Sequence, residues 1–305
     1  MKILVLYYSQ TGQLREVLDS LVSGIKDRVA IDYVPIEPEL PFPFPWQANT
    51  FFDAMPESVL QVPSNIKPLP ALANTDYDLV IFGYQPWFLF PSIPSNSFLK
   101  SQWAHFLKGK KVVTVIGCRN MWLNAQEKVK AELQRVGATL VGHIVMEDKH
   151  ANLVSVLTII RWLFTGRKEA KGWLPTAGIS QTDIDRTAVF GPIIEHALAS
   201  NATNTLQQQL LRYGAISLRP GLIVLEKRGI GQFPKWAKRA REKGAPGAPE
   251  RMGVIKTFKR LLIVAIFVLS PITDTIAKIQ TALKRKKLLR EVEYYKQVAY
   301  KEGMM

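Results

Sequence analysis

The feature that most constrains this chain lies at its start. An unbroken apolar and aromatic run, Ile3-Leu4-Val5-Leu6-Tyr7-Tyr8, stops at the polar loop Ser9-Gln10-Thr11-Gly12-Gln13. Apolar residues then recur as Leu14, Val17, Leu18, Leu21, Val22 and Ile25. A continuous β-prone run is the mark of a strand covered on both faces, as in the centre of a parallel sheet. The spacing that follows predicts an amphipathic helix over Leu14–Lys26. A strand, a short polar loop and a helix in this order place the loop where backbone N–H groups and the helix dipole attract an anion. Ser9 and Thr11 add hydroxyl donors, and Gly12 lets the backbone approach closely. The loop therefore reads as a phosphate cradle, the alternative being a bare turn. No lysine follows in P-loop fashion, which disfavours a nucleoside triphosphatase.

The same rhythm returns further on. Ile31–Ile36 predicts an edge strand, because Pro35 is poorly tolerated in a sheet centre. Residues 78–84, 111–116 and 139–145 predict three more strands. Helices are expected over about Ser95–Leu107 and Trp122–Val136, the second with Ala125, Val129, Leu133 and Val136 on one face. Alternating strands and helices predict an α/β, doubly wound, parallel five-stranded sheet. Residues 37–75 interrupt it with Pro41-Phe42-Pro43-Phe44-Pro45-Trp46, followed by Pro56, Pro63, Pro68 and Pro70. So aromatic an insertion is expected to be ordered, either packed over the domain or forming a lid over a hydrophobic substrate.

In such sheets ligands sit beyond the carboxyl ends of the strands. Two more loops reach that edge. Pro86, Trp87 and Phe88 offer aromatic faces on which a flat ring can stack, against the alternative of plain loop packing. Gly117, Cys118, Arg119 and Asn120 follow the fourth strand. Arg119 is a candidate to stabilise negative charge on a substrate oxygen, or else a surface residue capping the sheet edge. Cys118 is more often a small buried residue than a nucleophile. His143, Glu147, Asp148 and His150 cluster at the end of the fifth strand. His143 and His150 are the candidate bases, while the bland account is a set of solvated charges. Nothing there has the spacing of a helical zinc motif, and no metal is expected. His196, on an expected helix over Pro192–Ala199, reads as structural.

Charge separates the last third from the rest. Residues 1–211 hold 19 Lys and Arg against 18 Asp and Glu; residues 212–305 hold 21 against 7, a net of +14. A localised positive charge implies a polyanionic partner. Within this region Arg260–Ile272 forms an apolar block flanked by Lys256, Lys259 and Arg260 before it and by Lys278 and Lys284–Lys287 after it. About 20 residues are needed to span a bilayer. The block, like the apolar helix expected over Leu153–Phe164, is shorter. It suits partial insertion into one anionic leaflet or burial in a core. An acidic acyl carrier protein is another partner for these charges, whereas no nucleic-acid recognition fold is visible. The single cysteine excludes an intrachain disulfide and fits a reducing cytoplasm, and no secretory signal is evident. The expected layout is thus a domain over 1–150, carrying the 37–75 insertion, and a basic helical extension over 151–305.

Lys2–Leu21 resembles the opening of flavodoxin-family proteins, whose FMN phosphate loop runs roughly Ser/Thr-x-Thr-Gly-x-Thr. Ser9, Thr11 and Gly12 match it, and Leu14 replaces its final threonine. The resemblance covers about residues 1–148 and implies a flavodoxin-like fold. It also implies FMN held by Ser9, Gln10, Thr11, Gly12 and Gln13, with Pro86, Trp87, Phe88, Gly117, Cys118 and Asn120 around the ring. More narrowly, the opening, the proline–aromatic insertion and the basic apolar extension together resemble the dialkylresorcinol condensing enzymes. These are found beside ketosynthases in gene clusters for dialkylresorcinol and flexirubin-type pigments. That resemblance implies oxidation of a lipophilic 2,5-dialkylcyclohexane-1,3-dione to a resorcinol, for which Arg119, His143 and His150 are the catalytic candidates read from the residues, while the basic apolar extension points to peripheral association with the inner membrane. The competing readings are a flavodoxin-like quinone reductase or electron carrier, and a non-enzymatic scaffold docking a ketosynthase to the membrane.

Overall fold

A computed structural model describes residues 1–72, 76–268 and 280–300 of the chain. Its centre is a parallel sheet built from β1 (Lys2–Tyr7), β2 (Ala30–Pro35), β3 (Leu79–Tyr84), β6 (Lys111–Cys118) and β7 (Thr139–Glu147), in the order β2-β1-β3-β6-β7. Every pairing in it is parallel. This is the doubly wound order of the flavodoxin-like fold. All six residues of β3, between β1 and β6, are buried, as a strand covered on both faces requires. Pro35 closes β2 at the sheet edge, where its missing N–H interrupts no inner ladder.

The first helix, α1 (Gln13–Ser23), carries Leu14, Val17, Leu18, Leu21 and Val22 on its buried face. The insertion folds into two short helices, α2 (Ala48–Asp53) and α3 (Met55–Val59). Beyond β3 the chain makes a small antiparallel hairpin, β4 (Pro86–Trp87) with β5 (Phe90–Pro91). The helix expected over 95–107 is divided. It runs as α4 (Ile93–Lys100) and then as a 3-10 turn over Gln102–Leu107. Ser101 between them is extended, and its hydroxyl accepts the Trp103 N–H at 3.2 Å, which starts a new turn. The next helix, α5 (Leu123–Arg135), follows β6.

The remaining described helices are α6 (Asn152–Thr165), α7 (Gln181–Arg186), α8 (Phe190–Ala199), α9 (Leu206–Arg212), α10 (Pro220–Arg241), α11 (Met252–Phe267) and α12 (Arg285–Lys296). Ile184, Phe190, Ile194, Leu206, Leu210, Ile223, Leu288 and Val292 join the hydrophobic core of the sheet. The exposed edge of β7 is also occupied. Gln207 Oε1 accepts the His143 N–H at 2.7 Å, and the Ala215 carbonyl accepts that of Val145 at 2.8 Å. Both bonds satisfy donors that an open edge would leave to another chain. The apolar block expected over Arg260–Ile272 begins inside α11; residues 269–272, Asp274 and Lys278 lie outside the described residues.

Candidate functional site

The loop after β1 divides its work. Gly12 precedes α1 with φ +84°, and no atom stands within 4 Å of where a Cβ would project. That left-handed turn favours glycine and leaves the first turn of α1 open above it. The Ser9 hydroxyl is buried and has no hydrogen-bond partner among the described residues. Buried polar atoms are almost always paired, so an orphan donor beside a helix N-terminus marks a place for an acceptor. Thr11 Oγ1 accepts the Gln13 N–H only at 3.4 Å. The side chains of Gln10 and Gln13 are committed elsewhere. Gln10 Nε2 donates to the carbonyls of Phe42 (3.2 Å) and Pro43 (2.9 Å), its oxygen accepts from the Tyr8 hydroxyl, and its N–H donates to Gln85 Oε1. Gln13 pairs with both the N–H and the carbonyl of Ile179, each at 3.0 Å. These two glutamines hold the insertion and the segment before α7 around the loop.

The hairpin supplies the second wall. Its tip residues, Phe88 (φ +49°) and Leu89 (φ +70°), both adopt left-handed backbone, the geometry of a two-residue type I′ turn. Such a tip usually carries Asn-Gly; bulky residues there cost of order 1–2 kcal/mol each. Three contacts keep them in place. Asn124 Nδ2 donates to the Leu89 carbonyl at 2.9 Å, and Ser58 Oγ donates to that of Trp87 at 2.9 Å. Gly229 on α10 leaves a notch for the Leu89 side chain, which a Cβ would meet at 2.6 Å. Strain held by surrounding structure is a feature of functional sites. Trp87 is braced edge-on by Tyr8, Phe42 and Trp46, with ring centroids 5.9, 5.0 and 5.5 Å away.

Two adjoining recesses result. A narrow cleft of about 200 Å³ runs from Thr11 and Leu14 past Trp87 and Phe88 to Gly117, Cys118 and Arg119, and is closed by Trp162 and Gly178. A larger cavity of about 560 Å³ continues from it, sharing Phe51, Pro86, Phe88, Cys118 and Arg119. The larger one is walled by apolar residues of α10 and α11, among them Phe233, Trp236, Phe258 and Leu262. Its size falls within the ~300–1,000 Å³ typical of small-ligand pockets. Arg119 stands where the two meet. Its Nη1 donates to Asn152 Oδ1 at 2.7 Å. Burial lowers its pKa while the nearby Asp148 charge works against that, so it remains a cation. Burial pushes the Cys118 thiol well up; it lines the cleft as a neutral group. Asn120 is buried and donates to Asn152 Oδ1 at 3.3 Å.

The histidines are not brought to these recesses. His143 is fully buried within β7, its Nδ1 3.0 Å from Thr114 Oγ1 and its ring 5.0 Å from that of Trp122. Burial, reinforced by Lys130, holds its pKa well below the ordinary imidazole value, so it stays neutral, and it lines neither recess. His150 is partly exposed and lies against Asp148, which accepts from its backbone N–H at 2.9 Å and contacts Nδ1 at 2.6 Å. It lines neither recess. Solvated charge does not describe this cluster either: His143, Glu147 and Asp148 are all buried, with the 206–215 segment along the edge of β7 at His143 and Val145 and Ser155 of α6 donating to Asp148 at 2.7 Å. Burial pushes the Glu147 carboxyl up to about 7.

Several site residues had no signal in the local sequence. Trp162 and Gly178 wall the cleft, and Glu226 on α10 fixes the loop entering α5. Lys168 lies 3.6 Å from Glu16 in the first turn of α1 and 5.6 Å from the Trp162 ring. All four arrive from the C-terminal half by long-range packing.

No family model matches the chain, and no curated protein matches it. Among solved structures it is similar to a putative flavoprotein from Bacteroides eggerthii at 22% identity, with 47% of this chain and 87% of that one covered and a TM-score of 0.35. A flavoprotein in complex with FMN from Lactobacillus acidophilus matches at 18% identity, over 47% of this chain and 92% of that one, with a TM-score of 0.37. RosB with a bound 8-demethyl-8-formylriboflavin-5'-phosphate intermediate matches at 12% identity, over 75% of this chain and 86% of that one, with a TM-score of 0.35.

Proposed function

We propose that the protein is an FMN-dependent oxidoreductase acting on a lipophilic cyclic substrate. The observation that carries this reading is the buried, unpartnered Ser9 hydroxyl at the open first turn of α1, beside a cleft that leads into an apolar cavity. Ser9, Thr11 and the first-turn N–H groups of α1 would hold the phosphate. Trp87, Phe88, Trp162 and the main chain of Gly117–Arg119 would bound the ring.

The larger cavity suits an apolar ring bearing alkyl substituents. When bound, the flavin accepts the two electrons released as a dialkylcyclohexane-1,3-dione becomes a resorcinol. The chain's own contribution is positioning and charge. Arg119 stands at the seam as a cation, oriented by Asn152, and so can hold an enolate oxygen. Among the described residues, no carboxylate or imidazole lines either recess. Substrate ionisation therefore relies on the acidity of the 1,3-dione and on Arg119. The wall of α10 and α11 keeps the alkyl groups out of water.

The experiment is anaerobic. Protein loaded with FMN is mixed with a 2,5-dialkylcyclohexane-1,3-dione, and the flavin absorbance is followed. Bleaching with formation of the resorcinol supports the reading. Bleaching by a dihydronicotinamide but not by the dione points to a quinone reductase or electron carrier instead.

A further inference from the structure

The two halves of α11 meet different surroundings. In the first, Ile255 and Phe258 are buried, and Phe258 packs against Phe52, Phe233 and Trp236 with ring centroids 6.3, 5.4 and 6.4 Å away. In the second, large apolar side chains face solvent: Leu261, Ile263, Val264 and Phe267 are 49, 43, 43 and 36% exposed, and Val268 just after them is 62% exposed. A cluster of this kind on one surface marks an interaction site. Lys256 and Arg260, both exposed, precede it.

The same helix turn walls the larger cavity. Leu261, Leu262, Ala265 and Ile266 line it. Leu261 therefore touches the cavity and solvent at once, which sets a mouth of the cavity on the exposed apolar face.

We propose that the second half of α11 inserts into one leaflet of an anionic phospholipid bilayer, and that the cavity opens there, so that a lipophilic ligand enters from the hydrocarbon without crossing water. The second clause rests on the proposed reading of the cavity as the substrate site; the first does not. Charge complementarity selects this occupant. Residues 212–305 carry a net charge of +14, which attracts anionic headgroups and repels a second copy of the same face. Helix length agrees, since among the described residues no helix is long and apolar enough to cross a membrane, whereas a helix lying at the interface needs no such span.

Full-length protein is sedimented with phosphatidylcholine vesicles, with and without phosphatidylglycerol. Binding is expected only to the anionic vesicles. Each basic residue removed should weaken it roughly fivefold, so Lys256→Gln with Arg260→Gln should weaken it about 25-fold. Ile263→Asp with Phe267→Asp should abolish it, leaving the melting temperature and FMN titration without vesicles unchanged. Equal binding to neutral vesicles, no binding, or a dimer that the aspartate variant dissociates would overturn the insertion. For the second clause, protein recovered by high salt from pyrene-loaded anionic vesicles should carry pyrene. Ala265→Phe should sediment normally and carry little. Recovered wild-type protein free of pyrene overturns that clause. Vesicle binding without FMN binding would instead remove the proposed oxidoreductase and leave the insertion standing.

Discussion

The carboxylate of Glu226 accepts the backbone N–H of Asn124 at 2.7 Å and also that of Leu123 at 3.1 Å. A residue of α10 thus satisfies orphan donors at the start of α5, and Asn124 in turn holds the Leu89 carbonyl at the hairpin tip. The C-terminal helices fix the geometry of a loop at the sheet edge.

The contribution of the Glu226 and Glu147 carboxyls to stability should fall as pH rises from about 5 to 7, while buried, neutral His143 works in the opposite direction below its ordinary pKa. Burial raises the Glu226 carboxyl to about 7, outweighing its N–H donors, and raises Glu147 to about 7. A carboxyl with a folded pKa above its unfolded value binds more protons in the native state. Its stabilisation is full below the unfolded pKa, near 4.5, and is lost as pH passes through 7. Each group contributes on the order of 3 kcal/mol to this slope. Melting temperatures of the wild type and of Glu226→Gln between pH 5 and 8 check it: the difference between the two should move in favour of the variant as pH rises.

Ser9→Ala should separate binding from stability. Removing an unpartnered buried hydroxyl leaves the melting temperature of the ligand-free protein unchanged or slightly raised. A hydrogen bond to a charged group is worth ~1.5–3 kcal/mol, so FMN affinity should fall roughly 10- to 100-fold. Fluorescence titration and thermal melting of the same preparations measure both.

Much of this was legible in the sequence, for reasons that differ by segment. Ile3–Tyr8 and residues 78–84 announce central strands because strands buried on both faces must be apolar throughout. Ser9, Thr11 and Gly12 gain meaning from their position between such a strand and an amphipathic helix. The β4–β5 hairpin was not legible, since Phe88-Leu89 replaces the Asn-Gly that such a turn normally displays and is held by Asn124 and Gly229 from far away. His143 was misplaced because a strand residue near a sheet edge looks accessible until the 206–215 segment covers it. The closing wall of the cleft, Trp162 and Gly178, depends on packing between distant segments, for which spacing offers no signal.

Arg251→Met should destabilise the protein by about 3–5 kcal/mol. Arg251 is fully buried, with Nε 2.6 Å from Asp53 Oδ1 and its two terminal nitrogens each 2.9 Å from Glu57 oxygens. Its loss leaves Glu57 buried with only Arg241, at 3.0 Å, to offset the charge. Urea denaturation measures the loss. Adding Glu57→Met should recover part of it.

Ala265→Phe should fill part of the larger cavity without touching the cleft. Binding of an apolar fluorescent probe such as anilinonaphthalene sulfonate should weaken about tenfold, roughly 1.4 kcal/mol. The FMN titration should be unchanged. Equal loss of both would show that the two recesses are not separable sites.

The central claim, a phosphate-bearing flavin in the Ser9–Gln13 loop, is tested most directly by titrating the purified protein with FMN and with riboflavin. Visible absorbance and tryptophan fluorescence report binding. Saturable one-to-one binding of FMN is expected, tighter than that of riboflavin by at least about 100-fold, since two hydrogen bonds to a charged group are together worth ~3–6 kcal/mol. Equal affinity for the two ligands, or no perturbation of either spectrum at saturating ligand, would contradict it.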